Sequence, residues 1–156
     1  MPSKAQEILA NNDEYGAYTG LGLPLTLLAL RRGNDSLSET ERQFLGVYQL
    51  HTNVNNGGFY CYFTNSSGDL AAEALAGLER IGALHVRSLL SRACSIFPNG
   101  IVPKTQVERE VFLQDRSSDW KDLLESLNDE FYASNDKLSN LAVTFASEHI
   151  DDFCLE

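Results

Sequence analysis

The 156 residues make up the length of one ordinary domain, and a hydrophobic content of 43% suffices for a single core. Twenty-two acidic against twelve basic residues leave a net charge of −10, which disfavours nucleic acid and anionic membrane surfaces and calls for a basic partner. The imbalance is local: residues 1–104 carry −1 and residues 105–156 carry −9.

Helical periodicity and punctuation predict the elements in order. Ser3 caps a first helix over 4–14. Pro24 suits the first turn of a short apolar helix, LPLTLLALRR, closed by Gly33. Ser38-Glu-Thr-Glu41 is a capping box heading a helix of about four turns, with Phe44, Val47, Tyr48 and His51 on one face. Asn55-Asn56-Gly57-Gly58 ends it, and the aromatic cluster Phe59, Tyr60, Tyr62 and Phe63 fits a short helix or a strand. Ser66-Ser67-Gly68-Asp69 begins the helix LAAEALAGLERI, which Gly82 terminates in the left-handed conformation. A helix over 84–97 follows, with Leu84, Leu89, Leu90, Ala93 and Phe97 as its apolar residues, and forms an antiparallel hairpin with its predecessor. Thr105-Gln-Val-Glu108 is a second capping box for a helix through Leu113, Ser117 or Ser118 caps the next over 119–133, and the last spans 136–150. Apart from the aromatic cluster nothing alternates like a strand, so the fold class is all-α: one domain over 1–156, a bundle of about seven or eight helices.

The helix near Asp119 separates its residue types most sharply. At 100° per residue Trp120, Leu123, Leu124, Leu127 and Phe131 share a sector of about 100°. Asp115, if helical, with Asp119, Asp122, Glu125, Asp129 and Glu130 covers the other side, interrupted only by Lys121. Such a face either solubilises the domain or presents a ladder of carboxylates to a basic partner, to which the terminal acids Asp151 and Asp152 would add. It gives direct nucleic-acid binding no foothold.

Catalytic chemistry finds little support. His51 shares an apolar face, where a hydrogen-bonded core histidine is the simpler reading, and Cys61 would need His51 and a carboxylate such as Asp69 brought beside it by the fold. His149, Asp151 and Asp152 lack the spacing of a compelling metal site, and no cofactor motif is present. The three cysteines, Cys61, Cys94 and Cys154, read as reduced thiols, which with the missing signal-like apolar run suggests a cytoplasmic protein. Asn55-Asn56-Gly57-Gly58 could cradle a phosphate but more simply changes the direction of the chain.

Asn55-Asn56-Gly57-Gly58-Phe59, Tyr62-Phe63-x-Asn65-Ser66-Ser-Gly68-Asp69, Glu73-Ala74-Leu75 and Ile81-Gly82-Ala83 together resemble the bacterial DNA-mimic protein family, over roughly residues 44–98. The resemblance implies an all-helical homodimer whose acidic surface occupies the DNA-binding face of a helix-turn-helix transcription factor. An immunity-type neutraliser of a basic toxin or nuclease is the alternative. The shared residues suit turns and core, with Gly57, Gly58 and Asn65 setting backbone geometry and Phe59 and Phe63 packing inside.

Overall fold

The computed structural model describes residues 1–115 and 117–155, apart from the side chains of Ser117 and Ser118. Among them there are eight α-helices and no strand: α1 Lys4–Asn11, α2 Glu14–Arg32, α3 Glu39–Thr64, α4 Ala71–Ile81, α5 Leu84–Cys94, α6 Gln106–Asp115, α7 Ser117–Tyr132 and α8 Leu138–Glu148. The all-α bundle expected from periodicity is the observed architecture, with α3 at its centre against α2, α4, α6, α7 and α8.

The first two helices divide differently from the expectation. α1 stops at Asn11 because Asp13 starts the next helix, its carboxylate accepting the Gly16 N–H at 2.7 Å. Consequently α2 begins ten residues before Pro24, which lies inside the helix. An interior proline costs about 3 kcal/mol, but Ala17, Leu21, Leu25 and Leu28 form a buried stripe at helical spacing, and their packing outweighs it.

Ser38 and Glu41 form the predicted capping box of α3. Glu41 is buried and also accepts the Cys154 N–H at 2.6 Å, tying the end of the chain to the start of α3. The expected break at Asn55–Gly58 is a kink and not an end: Gly57 leaves helical geometry and Gly58 takes φ 75°, a conformation open chiefly to glycine. Beyond it the aromatic cluster is helical. Phe59, Tyr62 and Phe63, at spacings of three and four, are buried while Tyr60 faces outward. Against this helix α4 packs in backbone contact, since a Cβ on Gly77 would lie 2.6 Å from the Gln43 carbonyl oxygen.

Gly82 ends α4 in the left-handed conformation, as its position predicts. Leu84 is exposed, contrary to expectation, because at 100° per residue it stands about 160° from Val86, which begins the buried stripe of α5. That helix stops at Cys94 and is capped from afar: the Val86 N–H donates to Asp136 Oδ2 at 2.9 Å. Drawn to this cap, Asp136 stays outside α8, which starts at Leu138 and not at 136. Thr105 caps α6 by accepting the Glu108 N–H at 3.3 Å. α7 starts at Ser117, and the expected Ser117 or Ser118 cap lies outside the described side chains.

Aromatic edges knit the core, Phe63 against Phe97 at 5.0 Å and Phe59 against Phe131 at 5.9 Å between centroids. Phe63 is fully buried. Phe63→Ala should lower stability by about 3–5 kcal/mol in urea unfolding; a loss below about 1 kcal/mol would contradict its core position.

Candidate partner-binding surface

The acid-bearing helix α7 is held where α3 breaks. In an unbroken helix the Val54 carbonyl would receive the Gly58 N–H, and the Asn55 carbonyl the Phe59 N–H. Here Tyr132 Oη donates to the Val54 carbonyl and Asn128 Oδ1 accepts the Phe59 N–H, each at 2.9 Å. Asn128 and Tyr132 are one helical turn apart, so α7 replaces the broken rungs with two of its own side chains. A Cβ on Gly58 would collide with Asn128, so the glycine is needed for this approach as well as for its φ. The Phe59 N–H being taken, the Asn-Asn-Gly-Gly segment acts as a latch and does not offer that amide to a phosphate.

With Trp120, Leu124, Leu127 and Phe131 buried, the predicted apolar side faces the core. Asp119, Asp122, Glu125 and Asp129 are exposed on the other. The remaining candidate acids are placed differently. Asp115 is the exposed last residue of α6, outside α7, and half-buried Glu130 pairs with Arg92 at 3.0 Å. Asp152 accepts the Thr40 hydroxyl at 2.9 Å, and both it and Asp151 beside it are exposed. From Thr40 to Val54, where Tyr132 is bound, α3 rises about 21 Å at 1.5 Å per residue. From Tyr132, α7 lies toward Tyr60, away from the Thr40 end of α3.

Next to the α7 stripe lies a groove of ≈ 610 Å³ between the α3 kink, the end of α6 and α7. Tyr60, half exposed, stacks on Trp120 at 5.4 Å and 16°, with Leu113 and Leu124 at the wall and Glu125 at the rim. Sequence periodicity does not reveal this groove, because Tyr60 and Trp120 meet only through the kink.

The second half of the motif closes α3. Arg109 of α6 is fully buried and donates to the carbonyls of Phe63 (2.7 Å), Pro103 (2.8 Å) and Asn65 (2.9 Å) and to Asp69 Oδ1 (2.7 Å). Gly68 lies under the guanidinium, where a Cβ would be 2.7 Å from Nε. Asn65-Ser66-Ser67-Gly68-Asp69 is thus the cradle of a buried arginine that sequence reasoning missed; its signal was one of only four bases in residues 105–156.

The possible catalytic residues each have a structural partner. Burial raises the Tyr18 hydroxyl pKa, so it stays protonated, and it shares a hydrogen bond of 3.1 Å with His51 Nδ1. Cys61 Sγ receives Asn65 Nδ2 at 3.2 Å, and Asp69 holds Arg109. Burial pushes the Cys94 thiol up to about 12, far from a reactive thiolate. His149 accepts Arg80 Nη2 at 3.1 Å through Nε2 and donates from Nδ1 to the Phe145 carbonyl at 2.9 Å. Among the described residues no group of three or more His, Cys, Asp or Glu could hold a metal, and no helix is long and apolar enough to cross a membrane.

Residues 35–149 match the model of the family described as DMP19-like protein. Comparison with curated proteins and with solved structures gives no match. The matched segment runs from the turn before α3 through α8 and contains both the α3 kink and the Arg109 cradle.

Arg109→Met leaves three carbonyls and a carboxylate without their donor, and should cost about 3–5 kcal/mol in chemical unfolding. Arg109→Lys should fall between, since an ammonium cannot reproduce the planar fork. Burial lowers the His51 pKa from 6.5, so its neutral form stabilises the fold above 6.5 and that contribution disappears as pH falls through the lowered value. Below pH 6.5 the wild type should therefore lose stability faster than His51→Gln in paired thermal melts. Parallel pH curves would show that His51 titrates alike in both states.

Proposed function

The chain belongs to the DMP19-like protein family, and on that premise we propose that it acts by binding, its carboxylates standing in for DNA phosphates on the DNA-binding surface of a basic protein. The observation that carries the reading is the stripe Asp122, Glu125 and Asp129. These are three exposed carboxylates on a helix whose opposite side is buried and whose position is held by Asn128 and Tyr132. Fixed charge can match a basic surface without the ordering cost that a flexible acidic tail carries.

Carboxylates a helical turn apart stand about 5–6 Å from each other, whereas duplex DNA carries a charge per about 1.7 Å of axis. One helix is therefore too sparse, and the reading includes a homodimer whose two copies contribute together. Complementary charge hastens encounter and selects the partner; the groove beside Tyr60 and Trp120 offers an apolar anchor that slows release. A helix-turn-helix transcription factor fits this description. The reading assigns no catalysis and no cofactor, which is supported by the separate structural partners of His51, Cys61 and Asp69.

Proteins captured from native cytosol at low salt should elute with salt and be displaced by duplex DNA. Capture that excess DNA leaves untouched would overturn mimicry and favour a neutraliser of another basic protein. Reversing Asp122, Glu125 and Asp129 to Lys adds two charges at each site, taking −10 to −4. Stability should change by no more than about 0.5 kcal/mol per site. Binding should weaken most at low salt, where the Debye length is roughly 30 Å at 0.01 M against 8 Å at physiological strength, and the association rate should fall markedly. Reversing exposed Glu7, Glu39 and Glu79 instead should do much less; equal loss in both triple variants would remove α7 as the site.

A further inference from the structure

The groove between the α3 kink, the end of α6 and α7 joins three kinds of surface. Its wall is apolar, made by Leu113, Leu124 and the nearly buried Trp120. Against Trp120 lies the ring of Tyr60, stacked at 5.4 Å and 16° and 49% exposed. One face of Tyr60 covers the indole, so its exposure falls on the other face and the ring edge. The third surface is a carboxylate. At about 100° per residue from Trp120, Leu124 stands at about 40° around α7, Glu125 at about 140°, and Asp129 and Asp122 at about 180° and 200°. Exposed Glu125 is therefore both the near edge of the carboxylate stripe and the rim of the groove.

We infer that this groove seats one arginine side chain of the basic partner, with the guanidinium on the outer face of Tyr60 and paired with Glu125, and the methylene stem along Leu113 and Leu124. The inference rests on the proposed function, because a DNA-reading surface is what supplies the arginine. Charge complementarity names the occupant. A basic surface drawn onto Asp122, Glu125 and Asp129 presents arginine and lysine, and arginine is the side chain such surfaces most often extend toward base edges. An aromatic face attracts a cation through its quadrupole, and the planar, weakly hydrated guanidinium stacks there more readily than the compact, strongly hydrated ammonium of lysine. A purely apolar side chain would gain the wall but give Glu125 no counter-charge, and an anion would be repelled by the stripe. Among the described lining residues the one base is Lys121, exposed and a turn before Glu125, which opposes a cationic occupant. Lys121 therefore tests the sign of the charge that enters. In this arrangement the carboxylates take the cations that would hold phosphates, and the ring takes the arginine that would read bases.

Trp120 is the one tryptophan of the chain, so its fluorescence reports the groove without a label. The full chain is titrated at constant ionic strength with N-acetyl-arginine amide and with the lysine, citrulline and norleucine amides of the same form. Arginine should bind at least about tenfold more tightly than citrulline, which keeps the shape and loses the charge, and about threefold more tightly than lysine. Tyr60→Leu, at a half-exposed position, keeps the groove apolar and should weaken arginine about tenfold. Glu125→Gln, on the surface, should weaken it about three- to fivefold, and Lys121→Ala should tighten it about two- to fivefold, all with unchanged helical spectra. Arginine no tighter than citrulline, norleucine the tightest of the four, or weaker arginine binding in Lys121→Ala would each overturn the seat. Undiminished capture of a DNA-displaceable basic protein by Tyr60→Leu would overturn the seat and leave mimicry standing. A groove that prefers arginine, in a chain that captures nothing DNA displaces, would support the seat and overturn mimicry.

Discussion

A helix broken or ended inside a protein leaves backbone groups without partners, and each one buried unmet costs about 1–3 kcal/mol. α3 meets this constraint twice, at the Gly57–Gly58 kink and at its end near Asn65. Ser67 Oγ answers the Tyr62 carbonyl locally, but the bonds that join α3 to other helices come from distant sequence. Asn128 and Tyr132 of α7 take the groups at the kink, and Arg109 of α6 gathers the Phe63 and Asn65 carbonyls. Apolar packing alone would let α6 and α7 slide against α3; these directional bonds set their register.

The consequence is a division of labour among charged residues. Arg109, Asp69, Glu41, Asp136 and Asp152 all bind backbone or side chains within the fold. Asp122, Glu125 and Asp129, on a helix held by neutral Asn128 and Tyr132, are left on the surface. Charge can thus be concentrated on one face of α7 without making stability depend on it, as a surface built for binding another macromolecule requires.

α2 and α7 expose surfaces of different character. α2 turns leucines outward and carries arginines at its last turn, whereas α7 turns carboxylates outward beside the Tyr60–Trp120 groove. The apolar and the acidic surface thus belong to different helices.

The residues that cap helices were legible in the sequence because a cap is local. Ser3, Ser38, Thr105 and Gly82 act on backbone within a few residues, and α7 buries the side that its periodicity marks. The charge imbalance and the motif of the family were likewise readable from residue order alone. Tertiary structure decided what depended on distant neighbours. Packing on the core carried α2 through Pro24, and the aromatic cluster became helix because α7 supplied the bonds that the kink removed. Glu130 and Asp152, alike in sequence to the other acids, were engaged by Arg92 and Thr40. Arg109 gave no local sign of its role, since its four acceptors lie between 6 and 46 residues away and converge only when the chain has folded.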